Sequence, residues 1–294
     1  MQTSIDKEIL KKVELIRILT RQSVTSLFAG EFVSAFKGQG LEFQEVREYL
    51  PGDEIRSIDW NVTAKTGFPH VKRFREEREL SIYFLVDISP SSSFGSGEKS
   101  RSEIAAEIVS VLSFSASMNN DRTGLLLFSD QPELFIPLSK GMTHTLHMVR
   151  QLLTHKPERK NTSISSALEF LGKVTQRRST IFLLSDFYDT DYLDQLKIAA
   201  RRHDLVSIYL FDPKEKTLPS AGLINFIDSE TGKQITIDSS SKRVRVDYEK
   251  RFNDRLVNLE KSFRKYGCDF LAMDITKEYI HTLSQFFLKR EHRK

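Results

Sequence analysis

The sequence predicts an α/β protein with a doubly wound, mostly parallel sheet, one antiparallel edge strand and an N-terminal extension. Three observations carry that expectation. Short apolar, β-rich runs recur from residue 80 onward and mostly end in Asp or Ser, as parallel strands do when both faces are covered. Helical stripes separate those runs, and alternation of this kind builds a doubly wound sheet. One further run, 132–138, follows a strand directly with no helix between, which marks it as the antiparallel edge.

In order along the chain, the core strands are expected at Leu80 to Asp87, Thr123 to Ser129, Thr180 to Asp186, Leu205 to Asp212 and Cys268 to Asp274. Ser100-x-x-Glu103 is a capping box that opens a helix running through Met118. Ile164, Leu168, Leu171 and Val174 mark another helix. Tyr248, Phe252, Leu256, Leu259, Phe263 and Tyr266 form a long apolar stripe, and Tyr279, Leu283, Phe286 and Phe287 a last one. Leu223 to Ile227 and Gln234 to Ile237 flank Glu230-Thr231-Gly232-Lys233, which reads as a hairpin inserted at about 213–243. Residues 80–294 are therefore expected as the main domain. Residues 1–79 are expected as an N-terminal helix, with Ile9, Val13, Ile16 and Leu19 or Thr20 on one face, and an extended segment packed on that core.

Bulk properties narrow the function classes. A net charge of +4, from 44 basic and 40 acidic residues, is a mild excess. Arg201-Arg202 and Lys72-Arg73 have no aromatic platform between them, so no nucleic-acid partner is expected. Cys268 is alone, which excludes an intrachain disulfide and suits a reducing compartment. The beginning of the sequence lacks the pattern of a secretory signal, and its apolar strings fall far short of the roughly 20 residues that cross a bilayer. A cytoplasmic protein with no direct membrane insertion is expected.

Oxygen chemistry concentrates at the ends of two strands. Asp87-Ile88-Ser89-Pro90-Ser91 follows the first, and Asp186 closes the strand at 181–185. Thr162 stands at the mouth of the helix leading into that second strand. Ligands of open parallel sheets sit beyond carboxyl ends, where strand order reverses. Two acids and three hydroxyls meeting there suit Mg²⁺, or Mn²⁺. Singly, each residue reads better as a cap or a turn former, and only the set of five in this order points to a cation. A phosphohydrolase using Asp87 as nucleophile is the enzymatic alternative, weakened because Ser89 stands where a second Asp is needed as general acid. Phe94-Gly95-Ser96-Gly97-Glu98-Lys99-Ser100 lacks the contiguous Gly-Lys-Ser of a phosphate loop and is expected as a flexible loop. The seven histidines form no ligand set, and His144 and His147 are expected on an exposed helix face.

With these residues the chain resembles the von Willebrand factor A-like fold, a Rossmann-like arrangement, and its metal-dependent adhesion site. That resemblance implies Asp87, Ser89, Ser91, Thr162 and Asp186 as the shell of a divalent cation, with one position left for a partner's carboxylate. Pro90 and Phe187 stand where small residues or Gly are common in such domains.

A narrower resemblance rests on Gly38-x-Gly40-x-Glu42-Phe43, Arg47-x-Tyr49-x-Pro51-Gly52-Asp53-x-x-Arg56-x-Ile58-Asp59-Trp60 and Val71-Lys72. This string is similar to the signature of domain of unknown function 58, a bacterial family. The similarity implies a non-enzymatic, adaptor or chaperone-like partner of a MoxR-type AAA+ ATPase, with other von Willebrand factor A proteins as further partners. Read physically, Glu42, Arg47, Arg56 and Asp59 are expected to form a buried ion-pair network anchored by Trp60. The alternative is a second recognition surface around Arg56 and Trp60.

Overall fold

The computed structural model describes residues 42–75, 79–227, 232 and 234–292. The helix expected around Ile9 to Leu19 lies outside these. The described chain forms two compact units, divided between Leu80 and Ser81.

The smaller unit is an antiparallel pair, β1 (Glu42–Glu48) with β2 (His70–Arg75), carrying helix α1 (Trp60–Thr66) on the connection. Its turn is local chemistry. Asp53 N–H donates to the Leu50 carbonyl across Pro51-Gly52, with Gly52 at a φ of 110° that a side chain would strain. The turn brings Asp53 back to Arg47, whose two Nη atoms donate to its carboxylate at 2.8 and 2.7 Å. Asp59 caps α1 by accepting from Asn61 N–H and Val62 N–H and lies 3.4 Å from Lys72 Nζ.

Of the expected buried network, the Glu42 side chain lies outside what is described, and Arg47 and Asp59 make two separate local pairings instead. Arg47 pairs with Asp53, six residues away and presented by the turn, not with Asp59. Arg56 is exposed, and Trp60, at the first position of α1, is 68% exposed and so is not the buried anchor expected. Val71 is buried instead.

The larger unit is a six-stranded sheet. Its strands are β3 (Ser81–Asp87), β4 (Arg122–Phe128), β5 (Pro132–Ser139), β6 (Thr180–Ser185), β7 (Asp204–Phe211) and β10 (Asp269–Asp274), in spatial order β10-β7-β6-β3-β4-β5. All neighbours are parallel except β5, which pairs antiparallel with β4 at the edge. Numbered within the sheet, the order is the 3-2-1-4-5-6 of doubly wound folds. This is the doubly wound, mostly parallel α/β arrangement expected, with the predicted antiparallel edge strand in place. Strands β3, β4 and β6 bury every residue beyond the first, because helices cover both faces. Close packing explains Gly124 in β4, where a Cβ would come within 2.8 Å of the Tyr83 ring and 3.0 Å of the Ile136 carbonyl.

The helices are α2 (Arg101–Met118), α3 (Met142–Thr154), α4 (Ile164–Val174), α5 (Leu193–Arg202), α6 (Lys242–Lys265) and α7 (Tyr279–Glu291). The Ser100–Glu103 capping box opens α2, with both reciprocal hydrogen bonds made. Strands β8 (Leu223–Ile227) and β9 (Gln234–Asp238) pair antiparallel ahead of α6. One core joins Tyr83, Leu85 and Phe128 of the sheet to Leu168 of α4, Leu196 of α5 and Phe263 of α6. His144 is half-buried, not exposed, with Nε2 2.8 Å from the Thr123 carbonyl. Cys268 is buried, and burial pushes its thiol up to about 12, so it packs as a small apolar side chain. Among the described residues, no helix is long and apolar enough to cross a membrane.

Candidate functional site

The chain leaves β3 toward β4 on one side and leaves β6 toward β7 on the other, although β3 and β6 are neighbours. Divergent connections open a crevice at the carboxyl ends of these two strands. Asp87 ends β3, and Asp186 follows β6.

Both carboxylates are 5% exposed. One Asp87 oxygen accepts from Ser185 Oγ at 2.7 Å and the other from Ser89 N–H at 2.9 Å. Ser185, which sequence reasoning passed over as a strand residue, is thus the hydroxyl that fixes Asp87; its own Oγ accepts from Phe187 N–H at 3.0 Å. Ser89 Oγ and Ser91 Oγ lie 3.0 Å apart. Pro90 fits the loop, since it opens the single 3₁₀ turn Pro90–Ser93, where a fixed φ and absent N–H are harmless.

Asp186 accepts from Tyr188 N–H at 3.2 Å and from Arg101 Nη1 at 3.1 Å. The next residue, Phe187, takes a left-handed φ of 50°. A β-carbon in that region is unfavourable. The ring is held by burial among Tyr192, Tyr209, Phe263 and Phe270. Arg255 of α6 secures the same turn: Nη2 donates to the Asp186 carbonyl at 2.9 Å, and its guanidinium lies 3.6 Å over the Tyr188 ring.

Asp87, Ser91, Ser185, Asp186 and Arg101 line one cavity of about 10 Å³, room for a single small ion or water. Of the predicted ligands, Ser89 and Thr162 lie outside that lining. Thr162 stands at the start of α4. It precedes Ser163, the N-cap of α4, whose N–H donates to the Ser129 carbonyl just beyond β4. Asp189 accepts from Ile164 N–H at 2.7 Å and so serves the α4 N-terminus. The structure brings Asp87, Ser91 and Asp186 to one cavity, ties Ser89 to Asp87 and Ser91 by short contacts at its edge, and places the residue after Thr162 against the neighbouring strand end.

Arg101 was missed. It is the first residue of α2 yet only 3% exposed, and it pairs with Asp186, the Ser91 carbonyl and Glu215. An arginine at a helix N-terminus opposes the dipole, and that mismatch was the available signal that carboxylates lie nearby. The loop 94–99 is not loose. Ser96 donates through N–H and Oγ to the buried Asp212 at 2.6 and 2.7 Å. Burial alone would raise the Asp212 carboxyl, but hydrogen bonds from Lys214 and Ser96 hold it below its ordinary value.

The electrostatics leave one charge unsettled. Burial, then the neighbouring Asp186, pushes Asp87 up to about 7 despite the Ser185 and Ser89 hydrogen bonds. Two carboxylates face one guanidinium in the cavity. No cluster of three or more His, Cys, Asp or Glu suited to a metal occurs among the described residues. A divalent ion here would depend on two acids and hydroxyls, all hard oxygen donors, and their chemistry and residual negative charge fit Mg²⁺. A groove of about 360 Å³ opens against Asp87 and Ser89, walled by Ile88, Pro90, Leu152 and Pro157.

A family model described as "Protein of unknown function DUF58" matches residues 45–257. The chain belongs to the DUF58 family. Uncharacterized protein Rv1480 of Mycobacterium tuberculosis is 25% identical to this DUF58 chain over 290 residues, covering 97% of this chain and 90% of its own. Among solved structures, conserved hypothetical protein BatB from Bacteroides thetaiotaomicron is similar at 14% identity and a TM-score of 0.49, over 73% of this chain and 100% of that one. The SpRpn10 VWA domain is similar at 14% identity and a TM-score of 0.41, over 71% and 95%.

Proposed function

We propose that this DUF58 chain is a divalent-cation-dependent protein-interaction module, non-enzymatic and cytoplasmic, acting as an adaptor or chaperone-like partner of a MoxR-type AAA+ ATPase. One observation carries the cation reading. Two buried carboxylates and two serine hydroxyls converge at the switch point with their negative charge incompletely balanced. Asp87, Ser89, Ser91 and Asp186 would hold the ion, with Thr162 approaching from the α4 mouth. When bound, the ion would supply positive charge and an open coordination position to an acidic side chain of a partner. The groove beside Asp87 gives that partner an apolar wall to bury against. The ATPase partner is proposed on the N-terminal signature, whose Arg47–Asp53 turn and exposed Arg56 and Trp60 present an ordered surface. A nucleophilic Asp87 is the poorer reading, since Ser89 stands where a second Asp is needed as general acid.

Isothermal titration with Mg²⁺ or Mn²⁺ tests the first half. Wild type should give binding heat and Asp87→Ala none; equal heats remove the site. Capture of a MoxR-type ATPase by the immobilised full chain, with and without EDTA, tests the second. Capture that EDTA leaves unchanged removes the dependence on a cation.

A further inference from the structure

Arg101 stands in an unusual position for a guanidinium. It is almost wholly buried, it opens a helix whose dipole disfavours it, and it faces the same small cavity as Asp87 and Asp186. A buried cation persists only with acceptors around it. Nη1 has two, Asp186 Oδ2 at 3.1 Å and the Ser91 carbonyl at 3.0 Å. Nη2 has Glu215. Nε is buried with no hydrogen-bond partner among the described residues. The guanidinium is thus held chiefly by charge, and one of those charges belongs to a carboxylate the proposed centre needs.

We infer that Arg101 is a tethered cation that competes with a divalent ion for Asp186 and thereby sets how tightly the centre binds one. This rests on the cation reading above. Arg101 and an ion in the cavity would be like charges sharing one carboxylate, so filling the site must work against the guanidinium or displace it toward Glu215. Glu215 is placed to receive it: the short turn after β7 holds Glu215 with its Oε2 accepting from Asp212 N–H at 3.2 Å, and Asp212 in turn fixes Ser96. With the guanidinium supplying charge to Asp186, the loops after β3 and β6 keep their places without an ion.

The test is Mn²⁺ binding to the full chain, followed by electron paramagnetic resonance of free Mn²⁺ and by calorimetry. Arg101→Gln removes the competing charge and should tighten binding roughly tenfold or more, the scale on which a single neighbouring charge acts on an ionic equilibrium. Arg101→Lys keeps the charge and should stay near wild type. Glu215→Gln leaves Arg101 less balanced and should weaken binding, which keeps the inference testable if Arg101→Gln fails to fold by circular dichroism. Wild-type binding that is unchanged or weaker in folded Arg101→Gln, or unchanged or tighter in Glu215→Gln, overturns the inference alone. Absence of Mn²⁺ binding in wild type and Arg101→Gln alike removes the cation reading, and the inference with it. Binding by Arg101→Gln where wild type binds none supports the competition directly.

Discussion

Replacing Asp87 by Asn removes a charge from a buried position beside a second carboxylate while nearly preserving its shape. Burial and Asp186 push the Asp87 carboxyl from 3.8 up to about 7. Each unit is worth about 1.4 kcal/mol, so holding Asp87 ionised in the folded, ion-free protein costs up to about 4 kcal/mol. The sign follows from proton counting. Below about pH 4 both folded and unfolded chains carry the proton, and there is no penalty. Between about pH 4 and pH 7 the folded state keeps a proton that the unfolded state has released, so stability falls as pH rises; above pH 7 the loss is complete. Asparagine has no such term. Its amide still accepts from Ser89 N–H but turns a donor toward Ser185, losing about 1 kcal/mol. Asp87→Asn should therefore be more stable than wild type by about 2–3 kcal/mol at pH 8 in EDTA, roughly 5–10 °C in Tm for a unit of this size. At pH 4–5 the advantage should vanish. Urea titrations at the two pH values, followed by circular dichroism, measure the difference. The reasoning is refuted if the two proteins show the same dependence on pH.

Two further outcomes follow from the loop after β6 and from α1. Phe187→Gly relieves about 1 kcal/mol of left-handed strain but removes a ring buried among four aromatics, a loss of about 3–5 kcal/mol, so the variant should be less stable by about 2–4 kcal/mol in thermal melts; a stabilised variant would mean the ring does not hold the turn. Trp60 is the only tryptophan of the chain and 68% exposed, so its fluorescence should be red-shifted and fully open to acrylamide, and Trp60→Ala should change stability by less than about 0.5 kcal/mol; strong protection from the quencher would contradict its exposure.

Much of this arrangement was legible residue by residue. The strand expected at Leu80 to Asp87 is observed at Ser81–Asp87, and that expected at Thr180 to Asp186 at Thr180–Ser185, because a doubly covered strand must be apolar throughout and polar where it emerges. The edge strand was readable because its run follows β4 directly, with no helix between to carry the chain back for a parallel pairing, and Pro132 and Pro137 suit such an edge. Trp60 misled because a tryptophan's size argues for burial, whereas exposure depends on which face of α1 the rest of the chain covers.

What the sequence alone determined is the alternation of elements, the α2 capping box and the emergence of Asp87 and Asp186 at strand ends, all properties of neighbouring residues and their periodicity. Tertiary structure alone decided the charge balance around them. Arg101 finds Asp186 across 85 residues and Glu215 across 114, Ser185 finds Asp87 across 98, and Ser163, next to Thr162, meets Ser129 just beyond β4. Such pairings leave no periodic trace, because they arise only when the parallel sheet lays distant strand ends side by side and burial makes an unpaired charge too costly to keep.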